Sequence, residues 1–488
     1  MSIFKDGLIR QGASGAGDAP LFQIDQSIRF DPAATGRLTK TFGSSASNRR
    51  THTYSFWTKI GQEADGTNSS GGCFFLSTND TGANAGDYLH LNGSLQLRYW
   101  SNESSAETFK TNRLFRDHAA WYHIVLVNDR DTDSSNDAVR VYINGERETN
   151  FAVDNIAGRK GQDTMVNASS FLWQIQRFTS LNVYGDCYMA EIHFVDGYAY
   201  GPEYFGKFSD DNIWIPIEYT ESHGTNGFHI DGRDASDIGD DESGNGNDFT
   251  ATNLATHDIL TDTPTNNFCT INPIYADASN INSLTLTNGM LEVAGTSGNF
   301  DHLGFTFGLP KSGKWYFEYT IGGLYDGFGF VIVGEEGSIS GGNGIGQVSA
   351  SQGGAIQYQG WIQGASYTVN FGATFTAGHI HQVAIDVDNG KLYYGIQNTY
   401  YAADAGTDGN PSAGTNHLDT FDFSTNDISL LTMVSTGTAQ NQHWNFGQNG
   451  TFNGTKTAQG NSDANGHGDF FYAVPTNYLS LCTKNLQA

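Results

Sequence analysis

The acidic loop DDESGNGND contains the residues whose spacing best fits a cation site. Asp241, Ser243 and Asn245 occupy alternate positions, as in the first half of a calcium-binding loop, and Asp248 follows closely. Oxygen ligands at this spacing can surround one hard cation. The bidentate glutamate that completes such a loop is missing, because Thr252 stands at its position. The sequence therefore predicts weak calcium binding or, alternatively, a turn in which Asp and Asn side chains bond to their own backbone.

Three pairs of aromatic residues lie in or beside glycine-rich turns, where a sugar ring could stack on them. A pyranose presents its C–H faces to an aromatic ring, while its hydroxyls bond to nearby Asn, Asp or Gln side chains. The candidate pairs are Tyr99 with Trp100, Tyr358 with Trp361, and Tyr400 with Tyr401. Because large aromatic residues are usually buried, we expect at least one ring of each pair to belong to a core.

Neither the carboxylates nor the histidines show the spacing of a catalytic centre. Glycoside hydrolysis on a β-sandwich needs two carboxylates two or four residues apart on one strand, so that both face the cleft. Glu191 and Asp196 are five apart, and Glu318 stands alone in its strand. Four of the 14 histidines fall inside strand-like runs and are interpreted as packing residues: His52, His123, His193 and His381. With no H-E-x-x-H or Ser-His-Asp signature, we predict a non-enzymatic protein.

The elements that must position these residues are strands. Charged residues make up only 16% of the 488 residues, aromatic residues make up 13%, and there are 60 glycines. Such a composition suits pleated, half-buried surfaces joined by tight turns. Alternation places Tyr54 and Phe56 on one face of their strand, and Ile124 shares a face with Leu126. The predicted fold class is all-β, with two tandem antiparallel β-sandwich domains of the jelly-roll type and a packed connector.

Charge and cysteine usage exclude several classes of partner. The formal net charge of −27 opposes phosphate backbones and anionic membrane surfaces, so we expect no nucleic-acid partner. No run approaches the roughly 18 apolar residues of a membrane span, and the first residues lack a signal-peptide core. We therefore expect no membrane insertion, and assembly in a cytoplasm. The four cysteines predict buried thiols, although Cys269 and Cys482 could become neighbours.

The first half of the chain carries a recurring set of motifs: HTYSFWTKI (52–60), WYHIVLVND (121–129) with VRVYINGE (139–146), and YGDCYMAEIHFVDGYAYGPEYFG (184–206). Within the hairpin, Asn144 and Gly145 suit a type I′ turn, because both central positions need φ above zero. With these motifs, residues 26–205 resemble a laminin-G-like domain of the concanavalin-A type. The resemblance implies a lectin-like jelly roll. Such domains often bind one calcium ion, and the 241–248 loop resembles their Asp-Ser-Ser-Gly-Asn-Gly-Asn segment.

The second half carries a different set: GKWYFEYTI (313–321), DGFGFVIV (326–333), HQVAIDVDNGKLYYGI (381–396), HWNFGQN (443–449) and FFYAVPTNYLSLCTKNL (470–486). Val383, Ile385 and Val387 alternate inward, a turn follows at 388–390, and Leu392 alternates back along the return strand. With these motifs, residues 269–488 resemble a SPRY domain, which is itself a bent β-sandwich.

The stretch 206–268 is acidic and rich in Asn and Gly, and it is interpreted as a connector that packs on its neighbours. It resembles the junction between laminin-G-like and SPRY domains in structural proteins of marine tailed phages. The resemblance implies a virion protein, in a tail fibre or another surface fibre, with lectin-like binding to host-surface glycan. A purely architectural protein for capsid decoration or tail assembly, without receptor contact, remains the alternative. A polysaccharide depolymerase is disfavoured by the missing carboxylate pair.

Residues 1–25 form a Gly- and Ala-rich segment with a few apolar positions at Ile3, Phe4, Leu8 and Ile9. Such a segment cannot bury enough surface to fold alone, but its apolar residues can order against a partner. We interpret it as an N-terminal attachment arm that binds other virion proteins. The expected location is the virion surface. By analogy with phage fibres, we expect a homotrimer.

Overall fold

A computed structural model describes most of the chain. The described ranges are 22–43, 48–61, 72–78, 86–101, 106–179, 182–276, 284–295, 300–323, 326–334, 353–357, 361–364, 367–435 and 440–486. Their regular elements are β-strands and short 3-10 helices, which confirms the predicted all-β class. Within these ranges no helix is long and apolar enough to span a membrane. The chain divides into two compact units, with the boundary between Thr265 and Asn266.

The first unit is built from two large antiparallel sheets. Its strands are β1 (Ser27–Phe30), β2 (Arg37–Thr41), β3 (Thr51–Ile60), β4 (Phe74–Thr78), β5 (Tyr88–Leu91), β6 (Gln96–Ser101), β7 (Ala106–Leu114), β8 (Trp121–Asp129), β9 (Val139–Ile143), β10 (Glu146–Arg147), β11 (Phe151–Asp154), β12 (Leu172–Ile175), β13 (Arg177–Phe178), β14 (Val183–Tyr184), β15 (Cys187–Asp196), β16 (Gly206–Phe208), β17 (Trp214–Pro216), β18 (Phe228–Ile230), β19 (Thr250–Thr252) and β20 (Ile259–Leu260). Short 3-10 helices lie at Ser135–Asp137, Ile156–Arg159, Pro202–Tyr204 and Thr256–Asp258. One sheet has the order β10-β9-β8-β3-β15-β1-β20, with β18 also paired to β15. The other has the order β11-β7-β6-β5-β4-β12-β2-β19.

The core of the first unit follows the period-two pattern of its strands. Tyr54 and Phe56 of β3 are fully buried in one apolar cluster with Ile124 and Leu126 of the neighbouring β8, as the alternation predicted. The hairpin between β9 and β10 turns at 144–145, where φ is 49° and then 79°, which confirms the type I′ prediction.

The stretch 206–268, interpreted from the sequence as a connector, contributes strands to both sheets of the first unit. β18 pairs with β15, β19 pairs with β2, and β20 pairs with β1. The apolar side chains of Phe228, Ile230 and Phe249 join the core of that unit. Their burial explains why this acidic stretch has more apolar residues than a free linker would.

A buried ion pair fastens the end of the first unit to its central sheet. Lys59 Nζ on β3 lies 2.9 Å from Asp262 Oδ2, and the two side chains are 1% and 0% exposed. The second carboxylate oxygen of Asp262 accepts a hydrogen bond from Trp121 Nε1 at 3.1 Å. Nearby, Arg29 and Asp258 form another buried pair at 2.8 Å. These contacts hold 256–262 against β1 and β3.

The second unit also has two antiparallel sheets. Its strands are β21 (Ile271–Ala276), β22 (Leu284–Thr287), β23 (Glu292–Gly295), β24 (Phe300–Phe305), β25 (Lys314–Thr320), β26 (Gly327–Ile332), β27 (Gly353–Gln357), β28 (Trp361–Gly364), β29 (Tyr367–Asn370), β30 (Ile380–Asp386), β31 (Lys391–Ile396), β32 (Thr399–Tyr401), β33 (Asp419–Thr420), β34 (Ile428–Ser435), β35 (Gln440–Asn445) and β36 (Leu479–Ser480). The sheet orders are β21-β24-β34-β26-β27-β28-β29 and β22-β23-β35-β25-β30-β31-β32. In addition, β33 pairs with β31, and β36 pairs in parallel with β25. Val383, Ile385, Val387 and Leu392 lie in the core, as predicted.

A buried glutamate, Glu318 on β25, lies outside this apolar core. Its carboxylate accepts hydrogen bonds from the Tyr316 hydroxyl at 2.7 Å, the Tyr472 amide at 2.8 Å and the Phe471 amide at 2.9 Å. Burial nevertheless raises the pKa of Glu318 to about 7, and these donors oppose the rise. Glu318 therefore links β25 to the 471–472 segment through a group whose charge changes near neutral pH.

In each unit, described residues near the two ends are hydrogen-bonded to each other. In the second unit, Asn267 N donates to Thr483 Oγ1, and Thr483 N donates to Asn267 O, both at 2.9 Å. In the first unit, Ile24 N donates to Thr265 Oγ1 at 3.1 Å. Residues 1–21 of the predicted arm lie outside the described residues. All four cysteines lie within the described ranges, and each is a buried thiol.

The second unit is expected to fold alone, because its sheets and its core are complete within 266–488. Expression of 266–488 should give a soluble fragment that unfolds in a single cooperative transition by circular dichroism and calorimetry. The same transition should be present in the intact chain. A fragment that aggregates, or that unfolds without cooperativity, would show that the unit depends on residues before 266.

Candidate functional site

A β-bulge on β15 places two polar residues on the same side of a strand. The pairing of β15 with β3 shifts register between Ala190 and His193, and Glu191 at the bulge has a φ of 49°. Ile192 and Phe194 point into the apolar core. The side chains of Glu191 and His193 therefore meet on the opposite, outer side of the sheet.

The strand β18 brings a second histidine to this place. His229 is the direct cross-strand partner of His193, and its neighbours in sequence point into the core. The two imidazole rings stack with their centroids 4.0 Å apart. Glu191 Oε2 lies 3.2 Å from His193 Nε2 and 3.1 Å from His229 Nε2. Potential metal-ligand atoms of these three residues all lie within 4.8 Å of one another, so they could hold a metal ion.

A third histidine extends the cluster. His223 Nε2 lies 3.1 Å from His193 Nδ1, and the two rings stack. On the other side, the loop at 241 anchors the strand, because Asp241 Oδ1 accepts the His229 amide at 2.8 Å. We name Glu191, His193, His223 and His229 the histidine cluster.

Burial and mutual contacts set the protonation of the histidine cluster. Burial lowers the pKa of His193 to about 3 and that of His223 to about 4. For His229, burial also lowers the pKa, but the hydrogen bond and charge of Glu191 outweigh it and the pKa is raised. Burial raises the pKa of Glu191, but its hydrogen bonds to His193 and His229 outweigh this and hold the pKa below its ordinary value. The cluster therefore pairs one carboxylate with imidazoles of unequal basicity.

A cleft opens onto the cluster. It has a cavity volume of about 10 Å³, room for about one water molecule, and is partly open to solvent. The cleft is lined by Ser55, Trp57, His123, Glu191, His193, Phe205, Pro216 and Ile217. His123 is fixed in its wall, since its Nε2 lies 2.9 Å from Ser55 Oγ and Trp214 Nε1 donates to its Nδ1 at 3.0 Å. The arrangement can hold an ion or a water molecule beside a carboxylate.

Beside the cleft, three tyrosine rings stack in a row at the surface. The ring centroids of Tyr198 and Tyr200 are 5.2 Å apart, and those of Tyr200 and Tyr204 are 4.2 Å apart. Thr53 Oγ1 fixes this loop by donating to the carbonyls of residues 198 and 200 at 3.1 Å. Among the described residues, the exposed aromatic side chains are Tyr198 and Phe208, each 44% exposed. Tyr198 is therefore a flat, accessible surface supported from behind by the other two rings.

The aromatic residues proposed from the sequence as sugar-binding candidates differ in how far they are exposed. Tyr99 is fully buried and packs against Phe109, whereas Trp100 is partly exposed and stacks on Tyr88. Buried Tyr99 is thus not available to a sugar in this structure. Tyr400 and Tyr401 on β32 are both partly exposed, and Tyr401 packs against the core. Tyr358 lies outside the described residues, and Trp361 belongs to β28, with its side chain outside the described part.

The loop predicted as a possible calcium site is extensively hydrogen-bonded to protein donors. Asp241 is buried; its Oδ1 accepts the amides of residues 229 and 243, and its Oδ2 accepts the Ser243 hydroxyl and the Asn247 amide. Asn245 donates its side-chain amide to the carbonyls of residues 224 and 227, and Asp248 Oδ1 accepts the Asp241 amide at 3.2 Å. This geometry matches the hydrogen-bonded turn that the sequence left open as the alternative. Calcium binding here stays a prediction.

Sequence reasoning missed the histidine cluster and the stacked tyrosines. His52, His123 and His381 are buried within strands, as interpreted, but His193 is both buried and part of the cluster. The available signal was local: Glu191 and His193 stand two apart in EIHF, and His229 stands in FHI. Only the pairing of β15 with β18 shows that these segments meet.

Comparison with known families finds a match within the first unit. Residues 35–181 match the family model Laminin_G_3, described as the concanavalin A-like lectin/glucanases superfamily. These residues are therefore similar to a concanavalin A-like domain, a kind of domain compatible with carbohydrate binding. The histidine cluster and the stacked tyrosines lie after the matched residues.

No curated protein matches the chain. Several solved structures are similar to part of it at low sequence identity. The SPRY domain of human HERC1 is 14% identical and covers 36% of this chain and 96% of its own, with a TM-score of 0.26. The PSpry domain of TRIM65 is 11% identical, with coverages of 36% and 88% and a TM-score of 0.27. A heptameric pentraxin from Limulus polyphemus is 14% identical, with coverages of 36% and 78% and a TM-score of 0.26.

Proposed function

We propose that this chain is a virion surface protein, in a tail fibre or another surface fibre, whose first unit binds host-surface carbohydrate without cleaving it. The virion assignment rests on the sequence resemblance to tailed-phage structural proteins. The carbohydrate assignment rests on the concanavalin A-like domain and on one observation: an exposed tyrosine, Tyr198, held flat by two rings behind it.

The surroundings of Tyr198 suit a sugar. A pyranose can stack a C–H face on the exposed ring, and its hydroxyls then need acceptors nearby. Glu203 and Glu221 are exposed in the same region of the chain. Burial raises the pKa of Tyr200, and the charge of Glu221 adds to the rise. Carboxylate oxygens beside an aromatic platform can bind paired hydroxyls of one sugar ring.

The remaining parts of the proposal concern assembly. The N-terminal arm would attach the chain to other virion proteins, and copies of the chain would associate as a homotrimer at the particle surface. Electron cryo-microscopy of the particle tests this part directly. Density for this chain at the particle surface, with its N-terminal side against the particle and three-fold symmetry, is expected. An internal position would contradict it.

Replacing Tyr198 by alanine is expected to weaken glycan binding roughly tenfold, the equivalent of about 1.4 kcal/mol. Removing Tyr200 as well should weaken it further, because the next ring in the stack is lost too. The measurement is binding of the intact chain to a glycan array, followed by calorimetric titration with the best ligand.

Phe208→Ala is the matched control, since Phe208 is equally exposed in the same unit but lies on the β16–β17 hairpin. It should leave binding unchanged. The candidates Trp100, Tyr400 and Tyr401 are replaced by alanine in parallel. Equal losses at Tyr198 and Phe208 would contradict the platform, and an absence of any glycan ligand would favour the architectural alternative. Release of shortened oligosaccharides would show a depolymerase.

A further inference from the structure

We propose that Glu191, His193 and His229 form a binding site for a divalent transition metal ion, for which Zn²⁺ is the best fit. Two imidazoles and one carboxylate are a nitrogen–oxygen ligand set that suits zinc and neighbouring first-row ions, whereas calcium and magnesium prefer oxygen ligands alone. Its three ligand residues belong neither to the acidic loop nor to the stacked tyrosines. It therefore goes beyond the proposed carbohydrate binding.

Two of the three distances between ligand atoms are close to those around a tetrahedral ion. Zinc–ligand bonds of about 2.0–2.2 Å at tetrahedral angles place neighbouring ligand atoms roughly 3.3–3.5 Å apart. Glu191 Oε2 lies 3.2 Å from His193 Nε2 and 3.1 Å from His229 Nε2, only a few tenths of an ångström closer. Because the two imidazole rings stack with centroids 4.0 Å apart and planes 12° apart, one ring must turn about its side-chain torsions before both nitrogen lone pairs point at one ion. This rotation needs no change in the strands.

The outer contacts of a metal site are also present. A metal-bound imidazole carries its proton on the other nitrogen and needs an acceptor there. His223 Nε2, 3.1 Å from His193 Nδ1, can be that acceptor. The strand that carries His229 is fixed by the hydrogen bond from its own amide to Asp241 Oδ1 at 2.8 Å. Two antiparallel strands and a loop thus fix the backbone of the ligand residues, and the side chains alone must rotate to receive an ion.

The cleft gives an ion access to the three ligand residues. Glu191 and His193 belong both to the ligand set and to the cleft wall, so an ion can enter from solvent through the cleft. A three-ligand site leaves one tetrahedral position open, and a water or a hydroxyl of a bound molecule could complete it. Hydrogen bonding among the three side chains is the competing explanation for the same distances.

The test loads the intact chain, stripped with EDTA, with Zn²⁺ alone, Co²⁺ alone or Ca²⁺ alone. We expect one Zn²⁺ per chain after desalting, measured by plasma mass spectrometry, and visible absorption bands of tetrahedral Co²⁺. A hundredfold excess of Zn²⁺ over its Kd should raise the melting temperature of the first unit by roughly 5–10 °C. A stripped chain that binds no Zn²⁺, or that takes up only Ca²⁺, would overturn the proposal.

Three variants locate the ion. His229→Ala and Glu191→Gln should abolish Zn²⁺ retention, and His223→Ala should weaken affinity about 10–100-fold, because it removes only the outer contact. His417→Ala, a partly exposed histidine of the second unit, is the matched control and should retain the ion. Melting of each variant without metal shows whether it folds. Unchanged retention in folded Glu191→Gln and His229→Ala proteins would place the ion elsewhere and refute the site.

Discussion

Replacing Lys59 by methionine is expected to destabilise the first unit by roughly 3–5 kcal/mol, the usual cost of breaking a buried ion pair from one side. Methionine fills a similar volume, so the loss is mainly electrostatic. The carboxylate of Asp262 would stay buried at 0% exposure without the ammonium that now lies 2.9 Å away. The Trp121 hydrogen bond cannot replace a counter-charge. The melting temperature of the first unit should fall by roughly 6–20 °C in calorimetry of the intact chain.

Two further variants distinguish the effect of the buried charge on stability from the effect of side-chain packing. Lys59→Met combined with Asp262→Asn should recover most of the loss, because no charge is left buried and Asn keeps an acceptor for Trp121. Arg147→Met removes an ion pair to Asp137 that is 40% and 35% exposed, and it should change stability by no more than about 1 kcal/mol. A Lys59→Met shift as small as that of Arg147→Met would show that the buried pair is well hydrated in solution.

The second large effect is a dependence of stability on pH through Glu318. Its pKa is raised from 4.5 to about 7 in the folded chain. Between pH 4.5 and pH 7, Glu318 is therefore more fully protonated in the folded state than in the unfolded state. For a carboxyl group shifted upward, stability is greatest below the unfolded pKa and falls as pH rises through the folded pKa. The fall amounts to about 3 kcal/mol between pH 4.5 and pH 8, since one pKa unit corresponds to about 1.4 kcal/mol.

The variant Glu318→Gln isolates this effect from the other acidic residues. Glutamine stays neutral, although its amide would face the Phe471 donor, so its own cost does not change with pH. The stability difference between wild type and variant, from urea unfolding of 266–488, should shift by about 3 kcal/mol in the variant's favour as pH rises from 4.5 to 8. A difference that is constant across this range would mean that the amide and hydroxyl donors keep Glu318 ionised throughout.

Core positions and turns could be predicted from the sequence wherever a short segment determines its own backbone geometry. Tyr54 and Phe56 could be assigned to the core from alternation alone, and the 144–145 turn from its Asn-Gly pair. The same rule applied to β6 places Leu97 and Tyr99 inside and Trp100 outside, as observed. Closer use of alternation would have removed Tyr99 from the sugar-binding candidates.

The histidine cluster could not be predicted in the same way. His193 and His229 meet because a strand from the acidic stretch pairs with β15, and pairing between strands distant in sequence leaves no local signature. The bulge at Glu191 adds one residue to the strand and changes which side chains face outward after it. A strict period of two therefore predicts the wrong inward and outward orientations for the side chains in this part of β15.

The joined ends of each unit bear on how such a protein can be rearranged. Because described residues near the two ends of a unit are hydrogen-bonded to each other, the unit can be inserted into a surface loop of another protein without separating the two sides of that loop. The first unit can equally be circularly permuted, with the old ends joined by a short linker and a new opening made at an exposed bend such as 133–134. Each unit is thus suited, as a domain, to exchange between proteins by recombination.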